Sequence, residues 1–200
     1  SSVTGNDRVS NFHTLVSGAG ADTITGSATA DLIQAGDGNN SVDGGAGNDT
    51  LVGGLNNDTL MGGAGKDTIS AGDGNDAVLM DADAVNGVSG SGDDTIDGGS
   101  GINTLSFQNT NATDLVVNLA LGTATSALTG ADSFTNFQNV TGGTGADTIT
   151  GSAAANLIDA GDGNNSVDGG GGDDVLIVGN GLNSVDGGTG NDSISAGTGD

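Results

Sequence analysis

The chain has 200 residues, 26 acidic side chains against two basic ones, and a formal net charge of −24. All of the acids are aspartate, and Cys, Pro, Trp and Tyr are absent. The composition excludes disulfides and thiolate metal sites, and the lack of basic patches argues against binding to nucleic acid. Apolar runs stay shorter than the ~18 residues that a membrane span requires, so we expect no membrane insertion.

Residues 1–16 repeat only weakly, and we expect an imperfect first coil in which Phe12 and Leu15 point inward. From residue 17 to 106 the chain consists of ten consecutive nine-residue units, the first repeat array. The pattern is clearest in residues 44–70, which are GGAGNDTLV, GGLNNDTLM and GGAGKDTIS. A fixed short period predicts a solenoid, because one unit cannot bury its apolar face without stacking on its neighbours.

Each unit divides into a turn and a strand. Positions 1 to 6 combine glycine, which can adopt positive φ, with Asn and Asp, which tolerate turns. Positions 7 to 9, such as residues 50–52, predict a short strand whose middle residue points into the core. Two units should make one coil of about 18 residues, and coils should stack at the ~4.8 Å spacing of strands. The predicted core column of the first array is Ile24, Ile33, Val42, Leu51, Leu60, Ile69, Val78, Ile96 and Leu105.

The unit at 80–88 breaks this pattern. It has Val85 at position 6 and Gly87 at position 8, in place of an acid and an apolar core residue. We therefore expect an irregular, lengthened turn there, inside the first array.

Residues 107–141 form a spacer in which the nonapeptide is lost. Within it, residues 114–122 alternate like a longer half-buried strand, which predicts spacer coils that continue the solenoid. The alternating apolar residues are Leu115, Val117, Leu119 and Leu121. The second repeat array covers residues 142–200, and its predicted core column is Ile149, Ile158, Val167, Leu176, Val185 and Ile194.

A longer period is superimposed on the nonapeptide. Residues 1–75 align without a gap on residues 126–200, an offset of 125. Joining the last residues of one chain to the first residues of another continues the nonapeptide in frame. Two expectations explain the offset equally well. Either chains associate end to end into a filament or surface layer, or the sequence is a piece of a longer tandem polypeptide.

The position-6 residues are the candidate metal ligands. Because a coil holds two units, position 6 of each unit should face position 6 two units later, so the acids form a column along each edge. Stacked carboxylates repel each other unless a cation lies between them, and oxygen donors without thiolate or imidazole suit Ca²⁺. In the first array one edge should carry Asp22, Asn40, Asp58, Asp76 and Asp94, and the other Asp31, Asp49, Asp67, Val85 and Asn103. In the second array one edge should carry Asp147, Asn165 and Asn183, and the other Asn156, Asp174 and Asp192.

The best-equipped predicted columns are 31–49–67, 58–76–94 and 174–192. An Asx-turn role would explain a single aspartate but not the alignment of many across coils. Asparagine keeps an oxygen ligand but gives up the charge, so weaker or differently ligated sites are expected at Asn40, Asn165 and Asn183, with Asp37 and Asp162 at position 3 as compensating carboxylates. The single histidine, His13, has no cysteine or second histidine to join it at a zinc site and is expected to be structural.

The motif GGxGxDx(L/I/V)x resembles the nonapeptide of the repeats-in-toxin (RTX) family. The resemblance implies an all-β fold, a right-handed parallel β-roll or β-solenoid that binds several Ca²⁺ ions between successive turns. It also implies that main-chain carbonyls at positions 1 to 4 complete each coordination shell. In the clearest example Gly45 and Gly47 join Asp49, opposite Gly62 and Ala64 with Asp67.

The leading functional interpretation is a calcium-binding structural β-roll of a secreted adhesin, surface layer or extracellular fibre, folding on Ca²⁺ binding. The alternative is an RTX module that accompanies a secreted protease, lipase or epimerase whose catalytic part lies outside this chain. No HExxH or GxSxG motif is present, so no enzyme activity is expected. A secreted, cell-surface location and type I secretion are implied by the resemblance alone. Without Ca²⁺, the charge and the 41 glycines favour disorder.

Overall fold

The computed structural model describes residues 8–10, 12–81, 92–108, 110 and 114–199. These residues form 21 short strands and no helix. The strands are β1 (Arg8–Ser10), β2 (Thr14–Val16), β3 (Thr23–Ser27), β4 (Leu32–Asp37), β5 (Ser41–Gly45), β6 (Thr50–Leu55), β7 (Thr59–Met61), β8 (Thr68–Asp73), β9 (Ala77–Leu79), β10 (Thr95–Asp97), β11 (Thr104–Ser106), β12 (Val116–Asn118), β13 (Thr123–Ser126), β14 (Gly130–Thr135), β15 (Asn139–Thr141), β16 (Thr148–Ser152), β17 (Leu157–Asp159), β18 (Ser166–Gly170), β19 (Val175–Val178), β20 (Ser184–Asp186) and β21 (Ser193–Ala196).

The chain passes alternately between two sheets. The ten-stranded first sheet has the order β1-β3-β5-β7-β9-β11-β15-β17-β19-β21, and all of its pairs are parallel. The eleven-stranded second sheet has the order β2-β4-β6-β8-β10-β14-β13-β12-β16-β18-β20. Thr50 pairs with Thr68, so neighbouring strands are one 18-residue coil apart. The predicted all-β parallel solenoid with two nonapeptides per coil is confirmed.

The nonapeptide explains the strand and the turn separately. In β6, Leu51 is buried while Thr50 and Val52 point outward, as a period of two requires. In the preceding turn Gly45 and Gly47 have φ of 101° and 117°. A Cβ at Gly45 would lie 2.2 Å from the carbonyl oxygen of Ser27, one coil away. Glycine is needed there both for its backbone angle and for the close stacking of coils.

The position-8 residues form one continuous core between the sheets. The predicted members that are buried are Ile24, Ile33, Val42, Leu51, Leu60, Ile69, Val78, Ile96, Leu105, Ile149, Ile158, Val167 and Leu176. Val185 is only partly buried against this core, and Ile194 is 51% exposed, so its prediction as a core residue is wrong. Ile194 lies in β21, the last strand of the first sheet among the described residues, where no further described coil covers it.

The register of the coils shifts between β9 and β10. Thr95 pairs with Thr68 and Thr104 pairs with Ala77, so strands that neighbour each other here are 27 residues apart in sequence. The pairing therefore advances by one extra nonapeptide between β9 and β10. As a result, β10 and β11 lie on the opposite side from the one that a constant 18-residue coil predicts.

The spacer is a hairpin insertion into one sheet, not a long strand. β12 and β13 are antiparallel, as are β13 and β14, and they lie between β10 and β16 in the second sheet. Leu115, Val117 and Leu119 are buried as predicted, but Leu121 is 75% exposed. The chain reverses there in a turn in which the side-chain oxygen of Asn118 accepts the N–H of Leu121 at 2.9 Å. The prediction that the alternation continues through Leu121 is therefore wrong.

Several predictions fall on residues that the structure does not describe. These are residues 1–7 of the first coil, Val85 and Gly87 within 82–91, and Asp200. Along the described ranges, no helix has the length and the apolar character that a bilayer span needs.

Candidate metal sites

The position-6 side chains form two ladders of hydrogen bonds, one along each edge of the solenoid. At a typical step the backbone N–H of one position-6 residue donates to the side-chain oxygen of the position-6 residue one coil later, at 2.7 Å from Asp31 to Asp49 and 2.8 Å from Asn40 to Asp58. Column one contains Asp22, Asn40, Asp58, Asp76, Asn103, Gln138, Asn156, Asp174 and Asp192. Column two contains Asp31, Asp49, Asp67, Asp94 and Asp132, followed after the hairpin by Asp147, Asn165 and Asn183.

The predicted column 58–76–94 is wrong at Asp94, whereas its 58–76 part is present, because the N–H of Asp58 donates to Asp76 at 2.8 Å. The N–H of Asp67 donates to Asp94 at 2.7 Å, and that of Asp76 donates to Asn103 at 2.9 Å. Asp94 therefore continues the 31–49–67 column, because the 27-residue offset between β8 and β10 exchanges the two edges. The other predicted alignments, 31–49–67 and 174–192, are present.

Asp132 is missing from the predicted ligands, because the nonapeptide motif is lost across the whole spacer. The N–H of Asp94 donates to Asp132 at 3.0 Å, and Phe134 pairs with Ile96 in the sheet. Residues 127–135, ALTGADSFT, thus occupy the place of a nonapeptide, with Asp132 at position 6 and Phe134 at position 8. The tetrapeptide TGAD occurs at both 129–132 and 144–147, and this match could have indicated that Asp132 corresponds to Asp147.

Column two is interrupted by the hairpin. Leu115 takes the position-6 place next to Asp147, and its N–H donates to that carboxylate at 3.0 Å. Leu115 brings no side-chain oxygen to the column. The two parts of column two are therefore separate chains of polar groups.

Among the residues that the structure describes, six aspartates have a second carboxylate oxygen, Oδ2, that is buried and has no hydrogen-bond partner. These are Asp49, Asp58, Asp67, Asp76, Asp132 and Asp174. Burial raises the pKa of Asp49 to about 6, of Asp58 to about 7 and of Asp67 to about 8. Burial also raises the pKa of Asp132 to about 7 and those of Asp76 and Asp174, while the N–H of the preceding coil opposes the shift. A buried anion with a free oxygen is costly unless a cation reaches it.

The space beside these oxygens is a cradle between coils. At Gly44 an added Cβ would lie 2.6 Å from Asp49 Oδ2 and 2.4 Å from the carbonyl oxygen of Gly62 in the next coil. The carbonyl of Gly45 accepts the N–H of Ala64 at 2.9 Å, and that of Ala64 accepts the N–H of Gly47 at 2.7 Å. Each of these two carbonyls keeps a second lone pair. The neighbourhood offers hard oxygen atoms of the kind that Ca²⁺ binds.

Other predicted aspartates already have a donor in their own turn. Asp22 accepts the hydroxyl of Ser17, and Asp31 accepts the N–H of Ser27 at 2.5 Å. Asp147 accepts the N–H of Gly143 at 3.3 Å. Asp94 is 5% exposed, and burial raises its pKa to about 6. The position-6 acids are therefore not equivalent as candidate ligands.

Two further observations limit the kinds of site. In the part of the chain that the structure describes, no three His or Asp side chains converge as a metal cluster, so a bound ion would need backbone carbonyls as well as carboxylates. His13 lies at the outer surface with its Nδ1 3.3 Å from Asp31 and 3.1 Å from the Thr29 hydroxyl. It pairs with a column carboxylate and has no second imidazole beside it.

A parallel β-solenoid with oxygen-lined turns between its coils defines the class of this protein. A family model described as the RTX calcium-binding nonapeptide repeat matches residues 16–51, 52–83, 88–105, 141–176 and 177–200. These matches cover well over half of the chain, so the chain belongs to the RTX calcium-binding nonapeptide-repeat family. Residues 106–140, which include Asp132, lie outside them. No curated protein matches the chain significantly.

Proposed function

We propose that this chain is a structural calcium-binding roll that folds as Ca²⁺ binds between its turns. The observation that carries the proposal is the set of six buried Oδ2 atoms without a hydrogen-bond partner in the described part of the chain. In a chain of net charge −24, these anions oppose folding unless cations neutralise them. The proposed ligands are the six aspartates, with Asp94 and Asp192 extending their columns and carbonyls such as those of Gly45, Gly47, Gly62 and Ala64 completing the shells.

Calcium titration tests this proposal directly. Far-UV circular dichroism and equilibrium dialysis are recorded with excess chelator, with Mg²⁺ and with Ca²⁺ up to the millimolar range typical of extracellular modules, roughly 10⁻⁴–10⁻³ M. We expect Ca²⁺ to induce the strand spectrum and several ions to bind, and Mg²⁺ to do so poorly because it demands octahedral geometry. A strand spectrum that is unchanged by chelation, together with no bound Ca²⁺, would overturn the proposal.

The biological setting that we propose is a secreted, cell-surface protein such as an adhesin, surface layer or extracellular fibre. The support is membership of a family whose repeats are typical of secreted proteins. The alternative is a roll that accompanies a secreted enzyme, with the catalytic part elsewhere in a longer polypeptide. End-to-end self-association stays a prediction, and electron microscopy in millimolar Ca²⁺ checks it: chelator-sensitive filaments one roll wide would support it and uniform monomers would contradict it.

A further inference from the structure

Three turns of the roll share the same first five residues and differ only at position 6. They are AGDGNN at 35–40, AGDGND at 71–76 and AGDGNN at 160–165. Asn40 and Asp76 lie in the same column and are 3% and 2% exposed. The chain thus contains its own comparison of an amide and a carboxylate at one position.

The amide nitrogen of each asparagine is bonded to carbonyls of its own turn. Nδ2 of Asn40 donates to the position-4 carbonyl of Gly38 at 3.1 Å and approaches the position-2 carbonyl of Gly36 at 3.4 Å. Asn165 donates to the position-2 carbonyl of Gly161 at 3.0 Å. Asn183 donates to the position-2 carbonyl of Gly179 at 3.1 Å. Three separate asparagines therefore close the turn in the same way.

The surrounding groups fix the orientation of the amide. The oxygen of Asn40 accepts the N–H of Asp22 at 3.0 Å, and the other side of the amide faces carbonyls, which only accept. A flipped amide would place oxygen against oxygen and NH₂ against N–H. In the turn at 71–76 the Oδ1 of Asp76 accepts the N–H of Asp58 at 2.8 Å in the same way, but its Oδ2 is buried without a partner.

We propose that the asparagine amide takes the place of a bound cation. Turns closed by asparagine then satisfy their own carbonyls without calcium, while turns closed by aspartate with an unpartnered Oδ2 need the ion. This inference rests on the proposed function, because it assumes that the aspartate turns bind Ca²⁺. The weaker calcium sites expected from the sequence at Asn40 and Asn165 are replaced by closed turns that bind none.

The matched test exchanges the two residue types within the shared turn sequence. Asn40→Asp gives residues 35–40 the sequence of 71–76, and Asp76→Asn makes the reverse change. Bound Ca²⁺ per chain is measured by equilibrium dialysis. The ratio of folded to unfolded protein is measured in chelator with trimethylamine N-oxide, an osmolyte that favours the compact state.

We expect Asn40→Asp to bind one more Ca²⁺ than the wild type, and Asp76→Asn to bind one fewer. In chelator the folded-to-unfolded ratio should fall roughly tenfold for Asn40→Asp and rise roughly tenfold for Asp76→Asn, because a buried group loses or gains its partner. The control is Asn39→Asp, at the exposed neighbouring position, which changes the charge equally and should bind no additional ion.

An unchanged ion count in both variants, or an Asp76→Asn variant that is less stable than the wild type in chelator, would overturn the inference. If Asn40→Asp fails to fold even with Ca²⁺, the ion count and the chelator stability of Asp76→Asn test the inference by themselves. A wild type that binds no Ca²⁺ would overturn the proposed function instead. The chelator stabilities of the two variants would still test whether the amide closes the turn.

Discussion

Part of column two and the centre of column one, around Asn103 and Asn156, differ in the second polar atom of the position-6 side chain. That atom is a carboxylate oxygen in the first stretch and an amide nitrogen in the second. In column two, Asp49 and Asp67 leave a buried oxygen without a partner. In column one, Asn103 donates from Nδ2 to the carbonyl of Gly98 at 2.8 Å, and Asn156 donates to the carbonyl of Gln138 at 2.7 Å. One stretch therefore leaves a buried oxygen open to a cation, whereas the amide nitrogens of the other are already bonded. Asn103 makes the same Oδ1 contact to the preceding coil as the aspartates do, but the Oδ1 of Asn156 accepts the N–H of Ser152 in its own turn. The comparison indicates that register and metal dependence are separate properties of position 6.

Removing calcium should separate the two stretches and have the largest effect on the roll. As Ca²⁺ is titrated down at neutral pH, the backbone amides of Asp31 and Asp49, which donate within column two, should lose hydrogen-exchange protection first. The amide of Asn103, which donates to the side-chain oxygen of Gln138 at 2.8 Å, should keep it to lower Ca²⁺, because neither side chain carries a carboxylate and coils of a solenoid interact mainly with their neighbours. The measurement is hydrogen exchange by mass spectrometry or NMR. Simultaneous loss in both stretches would show that the roll opens as one unit.

Protons should partly replace calcium. The pKa values of Asp58, Asp67 and Asp132 are raised to about 7, 8 and 7 in the fold, from an ordinary value of 3.8. These groups therefore take up protons on folding, so their contribution to stability is complete below pH ~4 and is lost as the pH rises through about 6 to 8. In chelator, the strand signal in circular dichroism should be stronger at pH 5 than at pH 8. A chelated protein that gains structure with rising pH would contradict the sign.

The sequence predicted the parts of this fold that depend on strict spacing. The core residues from Ile24 to Val78 and the 31–49–67 alignment follow from the period alone, since a constant coil length fixes which residues face each other. The motif could not predict on which edge Asp94 lies, because nothing in it says that β8 pairs with a strand 27 residues later instead of 18. The longer offset becomes visible in the pairing of Thr68 with Thr95 and of Ala77 with Thr104.

The motif also could not predict whether each Oδ2 has a hydrogen-bond partner. Asp31 and Asp49 both stand at position 6, but Asp31 accepts the N–H of Ser27 and Asp49 has no such donor. The donor is a backbone N–H, which Gly45 has as well as Ser27, and at Gly143 a position-2 glycine donates to Asp147 at 3.3 Å. The residue type at position 2 therefore does not mark which carboxylate has a partner, and only the backbone geometry of each turn shows it.

Asp132→Ala should damage the calcium-dependent stretch at a place that the repeat pattern does not mark. The change removes the acceptor for the N–H of Asp94 and a buried carboxylate, so we expect a loss of about 1–3 kcal/mol in calcium and a lower ion count. Urea unfolding and equilibrium dialysis in Ca²⁺ measure the two effects.

Asp114→Asn is the control for that variant. Asp114 is exposed and has φ of 60°, which asparagine tolerates better than alanine. It should change stability by less than about 0.5 kcal/mol. Equal losses in the two variants would mean that Asp132 is an ordinary spacer residue.

The smallest effect is expected in a second ladder, which runs beside the first on the outside of the roll. At position 5, the oxygen of Asn57 accepts the N–H of Asn75 one coil later at 2.9 Å, and the oxygen of Asn48 accepts that of Lys66 at 3.1 Å. These bonds have the chemistry of the position-6 ladder but lie at the surface, where water can replace the lost acceptor.

Asn57→Ala should therefore cost at most about 0.5 kcal/mol in calcium and leave the ion count unchanged. Asp58→Ala, one residue along the chain, should cost several times more, because the N–H of Asn40 is then left buried without its acceptor. Urea unfolding of both variants in millimolar Ca²⁺ makes the comparison, and an Asn57→Ala loss as large as that of Asp58→Ala would mean that burial is not what separates the two ladders.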